Sequence, residues 1–538
     1  MRSVGARARC RRRPAFASRA LGAFACLAVI AAPARSATAS LETRVDGGRV
    51  RGALEHHVIA YKGIPYAAPP VGALRWAPPQ RVKRWRGVRA ALHFGPDCAQ
   101  LPTPGDAAPL RTVPRENCLY VNVWRPEARS ARHLPVMVWI YGGGFVDGGT
   151  SPAVYDGTQF ARDGVVLVSF NYRLGNFGFF AFPALTRRDR GRLLGNYTFM
   201  DQIAALKWVR RNVAAFGGDP HNVTLFGESA GGTSVNALLM TPLARGLFQR
   251  AIIESGWELG DTFHARPLTG SPASAEAVGV RLARHLGIEG EGEGALAKLR
   301  ALPAARLVDG LNMDTAPNDP TFAGAPILDR RLYPGDPLSV YAAGGGARVP
   351  IMIGTNTDEI SDLKAASLQA LWASFGPDAA AARALYDPDG KRTLTEVSDA
   401  AGGDQQMVEP ARATTRLLSA RGQRVYEYRF GYVASSLRRT SSGAPHASEI
   451  RFVFDTVAAH YGKATSRADK AMARTVQAYW VAFAKSGRPD PPGLPAWPEY
   501  RAGTDRLMSF TERGPLPEAD RWKSRLDLAA RVAQRASH

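Results

Sequence analysis

The chain predicts an α/β protein, with a mostly parallel central sheet and helices on both faces. Three observations predict this class. Short β-branched or aromatic runs recur, helix-patterned stretches lie between them, and one glycine-flanked serine stands where a strand would turn sharply into a helix. Residues 136–141 (Val-Met-Val-Trp-Ile-Tyr), 165–170 (Val-Val-Leu-Val-Ser-Phe), 223–226 (Val-Thr-Leu-Phe) and 349–353 (Val-Pro-Ile-Met-Ile) are almost wholly apolar and bounded by Gly, Pro or Asp. Runs without polar alternation are expected of strands buried on both faces, as parallel strands are. Met200 to Phe216 carries apolar residues at 203, 206, 209, 213 and 216, the stripe of a helix covering a sheet. The acidic, glycine-rich segment 287–294 reads as a solvated loop, and its glycines do not fit a dinucleotide fingerprint.

With 538 residues, 45% of them hydrophobic, the chain can bury a large core. No linker interrupts residues 40–538, so they are expected to form a single domain. The N-terminus differs in kind: eight arginines and no acid within residues 1–40, the apolar run Leu21 to Ala32, then small residues ending Ala37-Thr38-Ala39. This is the pattern of a cleaved export signal over residues 1–39 and implies a periplasmic or secreted protein. Arg12-Arg13 leaves the twin-arginine and general secretory routes both open. The apolar run is short for a membrane span and nothing later approaches about 20 uncharged apolar residues, so no stable membrane anchor is expected.

The formal charge is +22, and the chain stays basic without its first 39 residues. Such a field favours anionic partners. The basic residues are dispersed rather than gathered into a stripe with interleaved aromatics, which argues against nucleic-acid binding. Cys10 and Cys26 would leave with the signal, and only Cys98 and Cys118 remain. Two cysteines in an exported chain are expected to pair, adding roughly 3 kcal/mol in the chain-entropy model; the alternative is two buried thiols. Asn196-Tyr197-Thr198 and Asn222-Val223-Thr224 match the glycosylation pattern, but Asn222 borders a predicted strand and both matches read as incidental.

Gly227-Glu228-Ser229-Ala230-Gly231 places Ser229 on the strand-to-helix turn. Glycines are needed two residues either side because a sharp turn leaves no room there for side chains. A serine hydroxyl is a poor nucleophile until a base takes its proton and a third group orients that base. Gly354-Thr355-Asn356-Thr357-Asp358-Glu359-Ile360 puts carboxylates just beyond a strand, on the sheet edge where open α/β folds bind ligands. His446 follows in loop sequence, Gly443-Ala444-Pro445-His446. Tyr141-Gly142-Gly143-Gly144-Phe145 would bring backbone N–H groups close to a substrate oxygen, and Ala230 adds another donor. His446 with Glu449 has the i,i+3 spacing of a metal pair, but the sequence offers no third ligand.

These motifs together resemble the type-B carboxylesterase family, which includes the cholinesterases and related bacterial esterases. The resemblance runs through Tyr61 to Pro70 with Gly72 and Arg75, Glu116 to Val123, the triple glycine, Asn171 to Gly175, Asp201-Gln202, Phe216 to Pro220, the Ser229 pentapeptide, the Glu359 loop, His446 and Trp497-Pro498 with Tyr500. It implies the α/β-hydrolase fold and ester cleavage through an acyl-serine. It implies Ser229 as nucleophile, Glu359 rather than Asp358 as acid, His446 as base, and an oxyanion hole of Gly143, Gly144 and Ala230. It further implies a Cys98–Cys118 disulfide and an Arg75–Glu116 ion pair. This chemistry requires neither metal nor organic cofactor. Three departures stand out: Ile360 where the family has glycine, Asn117 where it has aspartate, and Trp257 where it has a small residue, which would reshape the acyl pocket. Residues 99–117 contain no Trp, Tyr or Phe to hold a quaternary ammonium, so the expected substrate is a small neutral or anionic ester rather than a choline ester. Two other readings stay open: a non-catalytic binding protein on the same fold, and an amide or lactone hydrolase.

Overall fold

Eleven strands hydrogen-bond into the central sheet. In chain order they are β1 (Ala53–Glu55), β2 (Val58–Pro65), β3 (Tyr120–Pro126), β4 (Leu134–Ile140), β5 (Val166–Phe170), β6 (Gly218–Glu228), β7 (Arg250–Glu254), β8 (Ile351–Asn356), β9 (Val425–Phe430), β10 (Arg506–Thr511) and β11 (Gly514–Ala519). Their spatial order is β11-β10-β9-β8-β7-β6-β4-β5-β3-β2-β1. The seven strands from β5 to β10 in this order are parallel to their neighbours within the block, and antiparallel pairs flank them on either side. This computed structural model describes residues 40–128, 132–189, 191–256 and 265–536. All belong to one unit, Ala39–His538. The predicted export signal and Trp257 lie outside the described residues.

Every side chain of Val136–Ile140 is inaccessible to solvent, and side chains alternate between faces along a strand, so both faces of the sheet are covered. Helices α1 (Tyr197–Asn212), α2 (Ala230–Met240) and α3 (Arg467–Ser486) pack against its centre. Strand boundaries differ from the sequence reading where polar residues conceal them. β8 begins at Ile351, after Pro350, which has no N–H for the ladder, and runs on through Gly354-Thr355-Asn356, where Asn356 pairs with Phe430. Similarly, α1 starts at Tyr197 and passes into a 3-10 turn over Val213–Phe216. The 287–294 segment is loop only to Gly292, since Glu293 opens the helix Glu293–Ala301, where a carboxylate complements the helix dipole.

Register assembles the site. Gly227 of β6 pairs with Ile140 of β4, Glu228 pairs with Glu254 of β7, Glu254 pairs with Gly354 of β8, and Asn356 pairs with Phe430 of β9. The segments following these strands therefore emerge together at one carboxyl-end edge, as open α/β sheets require of a ligand site. Among the described residues no helix is long and apolar enough to cross a membrane. Asn196 is fully buried, donating to Ile327 O at 2.7 Å and Asp329 Oδ2 at 3.0 Å, so its acceptor-like tripeptide is inaccessible in the folded chain.

Candidate active site

Ser229 is the hinge between β6 and α2, with φ +56° and ψ −124°. That conformation is unusual for a residue with a side chain and is held by hydrogen bonds on both sides: Ser229 N to Glu254 O, and Thr233 N to Ser229 O, both 2.9 Å. The flanking glycines are sterically required. A Cβ on Gly231 would stand 2.1 Å from Ile140 O, and one on Gly227 would meet Gly231 C, Gly231 O and Ile140 O at 2.7 Å. Ser229 itself is 6% exposed.

Gly142 lies against the elbow, where a Cβ would approach Ser229 Cβ and Glu228 Oε2 to 2.9 Å. Gly143 has φ +100° and Gly144 φ +58°. Val146 N (3.0 Å) and Asp147 N (2.9 Å) both donate to Gly143 O, fixing a tight turn. Among the described residues the N–H groups of Gly143 and Gly144 donate to no protein acceptor, and Ala230 N–H belongs to the unpaired first turn of α2. These amides lie on the two segments that meet at the elbow, the glycine turn after β4 and the first residue of α2.

Buried Glu359 pairs with His446, which is partly exposed. His446 Nδ1 lies 2.5 Å from Glu359 Oε2, while Glu359 Oε1 accepts from Ser255 Oγ at 2.6 Å and from Asn356 N at 2.7 Å. The two loops are also joined through their backbones. Asp358 N donates to Ala444 O at 3.0 Å, Ala444 N donates to Thr357 Oγ1 at 2.8 Å, and Asn356 Nδ2 donates to Pro445 O at 2.7 Å. Asp358 is only half-buried and pairs with no histidine, so Glu359 is the carboxylate that meets the imidazole. Ile360, 42% exposed, adopts no left-handed conformation, so the backbone makes no demand for glycine at this position. Arg75 grips Glu116 through two hydrogen bonds of 2.5 and 2.6 Å, and Cys98 is bonded to Cys118.

The second ring nitrogen of His446, Nε2, faces Glu228 Oε1 at 3.2 Å, a charge contact without hydrogen-bond alignment. Among the described residues no hydrogen bond joins it to Ser229 Oγ, one residue along the chain from that carboxylate. Burial disfavours the imidazolium, yet the charges of Glu228 and Glu359 outweigh it and push His446 up to about 10. Burial also pushes Glu228 well above the usual carboxyl range, against the pull of His446. For Glu359 burial acts upward too, but the His446 charge and hydrogen bonds from His446, Ser255 and Asn356 hold it below the usual range. Two more buried glutamates stand close by: Glu449, which accepts from Asn356 Nδ2 at 2.6 Å, and Glu254, which accepts from Trp480 Nε1 at 2.6 Å. Ser255, Asn356 and Glu254 escaped the sequence reading. Their signal was position alone, one strand over from each predicted group.

A serine on such a strand-to-helix elbow, at the carboxyl edge of this mostly parallel sheet, marks an α/β-hydrolase. The chain belongs to the carboxylesterase family, whose model matches residues 37–524. It is 36% identical over 482 residues to para-nitrobenzyl esterase of Bacillus subtilis (strain 168), covering 86% of this chain and 93% of that protein. Fumonisin B1 esterase of Sphingopyxis macrogoltabida is 32% identical over 87% of this chain and 86% of its own length. Acetylcholinesterase of Bungarus fasciatus is 32% identical over 90% and 84%. A solved PNB esterase structure superposes with a TM-score of 0.77 at 33% identity, covering 91% of this chain and 99% of that one. The protein is a carboxylesterase, and its family acts on small-molecule esters.

Proposed function

We propose that Ser229, His446 and Glu359 are the catalytic triad of this esterase and that Gly143, Gly144 and Ala230 form its oxyanion hole. The observation that carries the reading is the imidazole: one nitrogen is fixed on a buried carboxylate, and the other faces the residue adjoining Ser229. On substrate binding the ring turns from Glu228 to Ser229 Oγ, since hydrogen bonds between catalytic groups often tighten only in the substrate complex. His446 Nε2 takes the hydroxyl proton as Ser229 Oγ attacks the ester carbonyl, and Glu359 stabilises the imidazolium. The tetrahedral oxyanion, held by the three amides, expels the alcohol, which receives the proton from His446. Water then adds by the same route and releases the acid, regenerating the serine. We further infer that residues 1–39 are a cleaved export signal, a reading supported by their composition and by a disulfide suited to an oxidising compartment.

The test is turnover of p-nitrophenyl esters by wild type, Ser229→Ala and Glu359→Gln, with active-site phosphonylation in parallel. Ser229→Ala is expected to lower kcat by roughly six orders of magnitude and to abolish labelling. Retained turnover in that variant refutes the assignment, and absence of both turnover and labelling in the wild type would favour a binding protein.

A further inference from the structure

Five arginines are buried among the described residues, and four of them face carboxylates. Arg75 pairs with Glu116, Arg173 with both oxygens of Asp201 at 2.7 Å, Arg412 with Glu409 at 2.5 Å, and Arg429 with Asp520 at 3.2 Å. Arg451, only 6% exposed, forms no ion pair with a carboxylate among the described residues. Its contacts are weak: Nη1 donates to Tyr461 Oη at 3.3 Å, Nη2 donates to Ala447 O at 3.4 Å, and the guanidinium lies 5.4 Å from the Tyr461 ring centre. A buried ion is costly without a counter-ion, and a guanidinium offers five donors in a fork suited to carboxylates.

The surroundings of Arg451 connect it to the ester-cleaving centre. It sits in the short helix Ile450–Val453, five residues past His446, with Nη2 against the carbonyl of the residue after that histidine. Its positive field reaches Glu228, Asp106 and His460. The loop closed by Cys98–Cys118 spans both regions. At one end Thr103 N donates to Asp147 Oδ2 at 2.7 Å and Thr103 Oγ1 accepts from Met313 N at 3.4 Å, while Met313 borders Gly144. Further along, Ala107 lies beside His460, whose ring packs on Tyr461 at 4.7 Å. This loop has no aromatic residue between Ala99 and Asn117 to face a quaternary ammonium, whereas the arginine beside it suits an anionic group.

We propose that Arg451 is a specificity residue that binds a carboxylate carried by the ester substrate, on its acyl or its alcohol side. The proposal rests on the reading of Ser229 and His446 as the ester-cleaving pair. Two matched substrate pairs test it: p-nitrophenyl hemiglutarate against p-nitrophenyl pentanoate places the charge on the acyl group, and 4-acetoxybenzoate against 4-acetoxybenzamide places it on the alcohol. In the wild type the charged member of at least one pair is expected to have the lower KM, and which pair responds identifies the side. Arg451→Gln should reduce kcat/KM for that charged ester at least about tenfold more than for its neutral partner, and Arg451→Lys should recover part of the difference. Equal losses on charged and neutral esters would assign Arg451 to the support of its glutamate neighbours and overturn the proposal. A wild type whose KM is no lower for either charged ester overturns it as well, without reference to any variant. Failure of the underlying esterase reading is separate, because then Ser229→Ala would still turn over the neutral esters.

Discussion

Glu228 and Glu359 hold the same imidazole from opposite sides, and their roles differ. Glu359 is tied by three hydrogen bonds and stays ionised, whereas Glu228 Oε1 makes only the 3.2 Å charge contact. In the proposed triad His446 acts as a neutral base, so kcat/KM is expected to rise with pH as the imidazolium deprotonates. Glu228 is the strongest neighbour pushing His446 upward. Glu228→Gln is therefore expected to lower the His446 value and move the acidic limb of the kcat/KM profile to lower pH, which a pH series with a neutral ester measures. An unmoved limb would mean that Glu228 does not control the base. At this scale the sequence pointed to the groups proposed to react, because each carries a motif. Glu254, Ser255 and Asn356 lie in ordinary strand sequence, and only the pairing of β7 and β8 brings them to Glu359. Arg451 was hidden for a different reason: a lone arginine five residues past a histidine has no pattern until its burial and missing counter-ion are seen.

The glycine turn after β4 shows what element geometry demands. At Gly143 a Cβ would stand 2.3 Å from Asp147 O on a backbone already at φ +100°, so alanine cannot enter without moving the turn. Gly143→Ala is expected to misdirect the neighbouring amides and cost about 3 kcal/mol of transition-state stabilisation, near a hundredfold in kcat/KM. Gly144 is a contrast: its Cβ would meet Met313 at an ordinary 3.7 Å, leaving mainly the left-handed strain of about 1–2 kcal/mol. Kinetics of the two variants with one p-nitrophenyl ester, beside their melting curves, separate these effects. Element types were legible from the apolar runs, since strands buried on both faces leave no alternation to misread. Ends were less so. β8 continues through Gly354-Thr355-Asn356 because β9 supplies partners, information that no local pattern carries.

Across the whole molecule, Glu228, Glu254 and Glu449 bury three neighbouring carboxyl groups near the carboxyl-end edge of the sheet. Burial drives Glu254 well above its ordinary value and takes Glu449 to about 7. A raised carboxyl binds its proton more tightly in the fold than in the unfolded chain, so its stabilising effect is complete below about 4.5 and fades as pH rises toward the folded value. His446 acts in the same direction, its contribution being complete below 6.5 and lost as pH rises through about 10. The melting temperature is thus expected to fall from mildly acidic to mildly alkaline pH, and Glu254→Gln should flatten that decline while keeping an acceptor for Trp480. Calorimetry of both proteins across this range checks it, and parallel curves would remove Glu254 as a source. The stitching of Asp358 to Ala444 and of Asn356 to Pro445 carries a further consequence. The proposed acid and base thus move as one jaw, while the proposed nucleophile sits on an anvil, the β6–α2 turn, linked to the jaw through β7. Gradual warming or cosolvent should therefore part the jaw from the anvil before it separates the jaw's own two halves, so activity would vanish while the imidazole still reports its carboxylate partner.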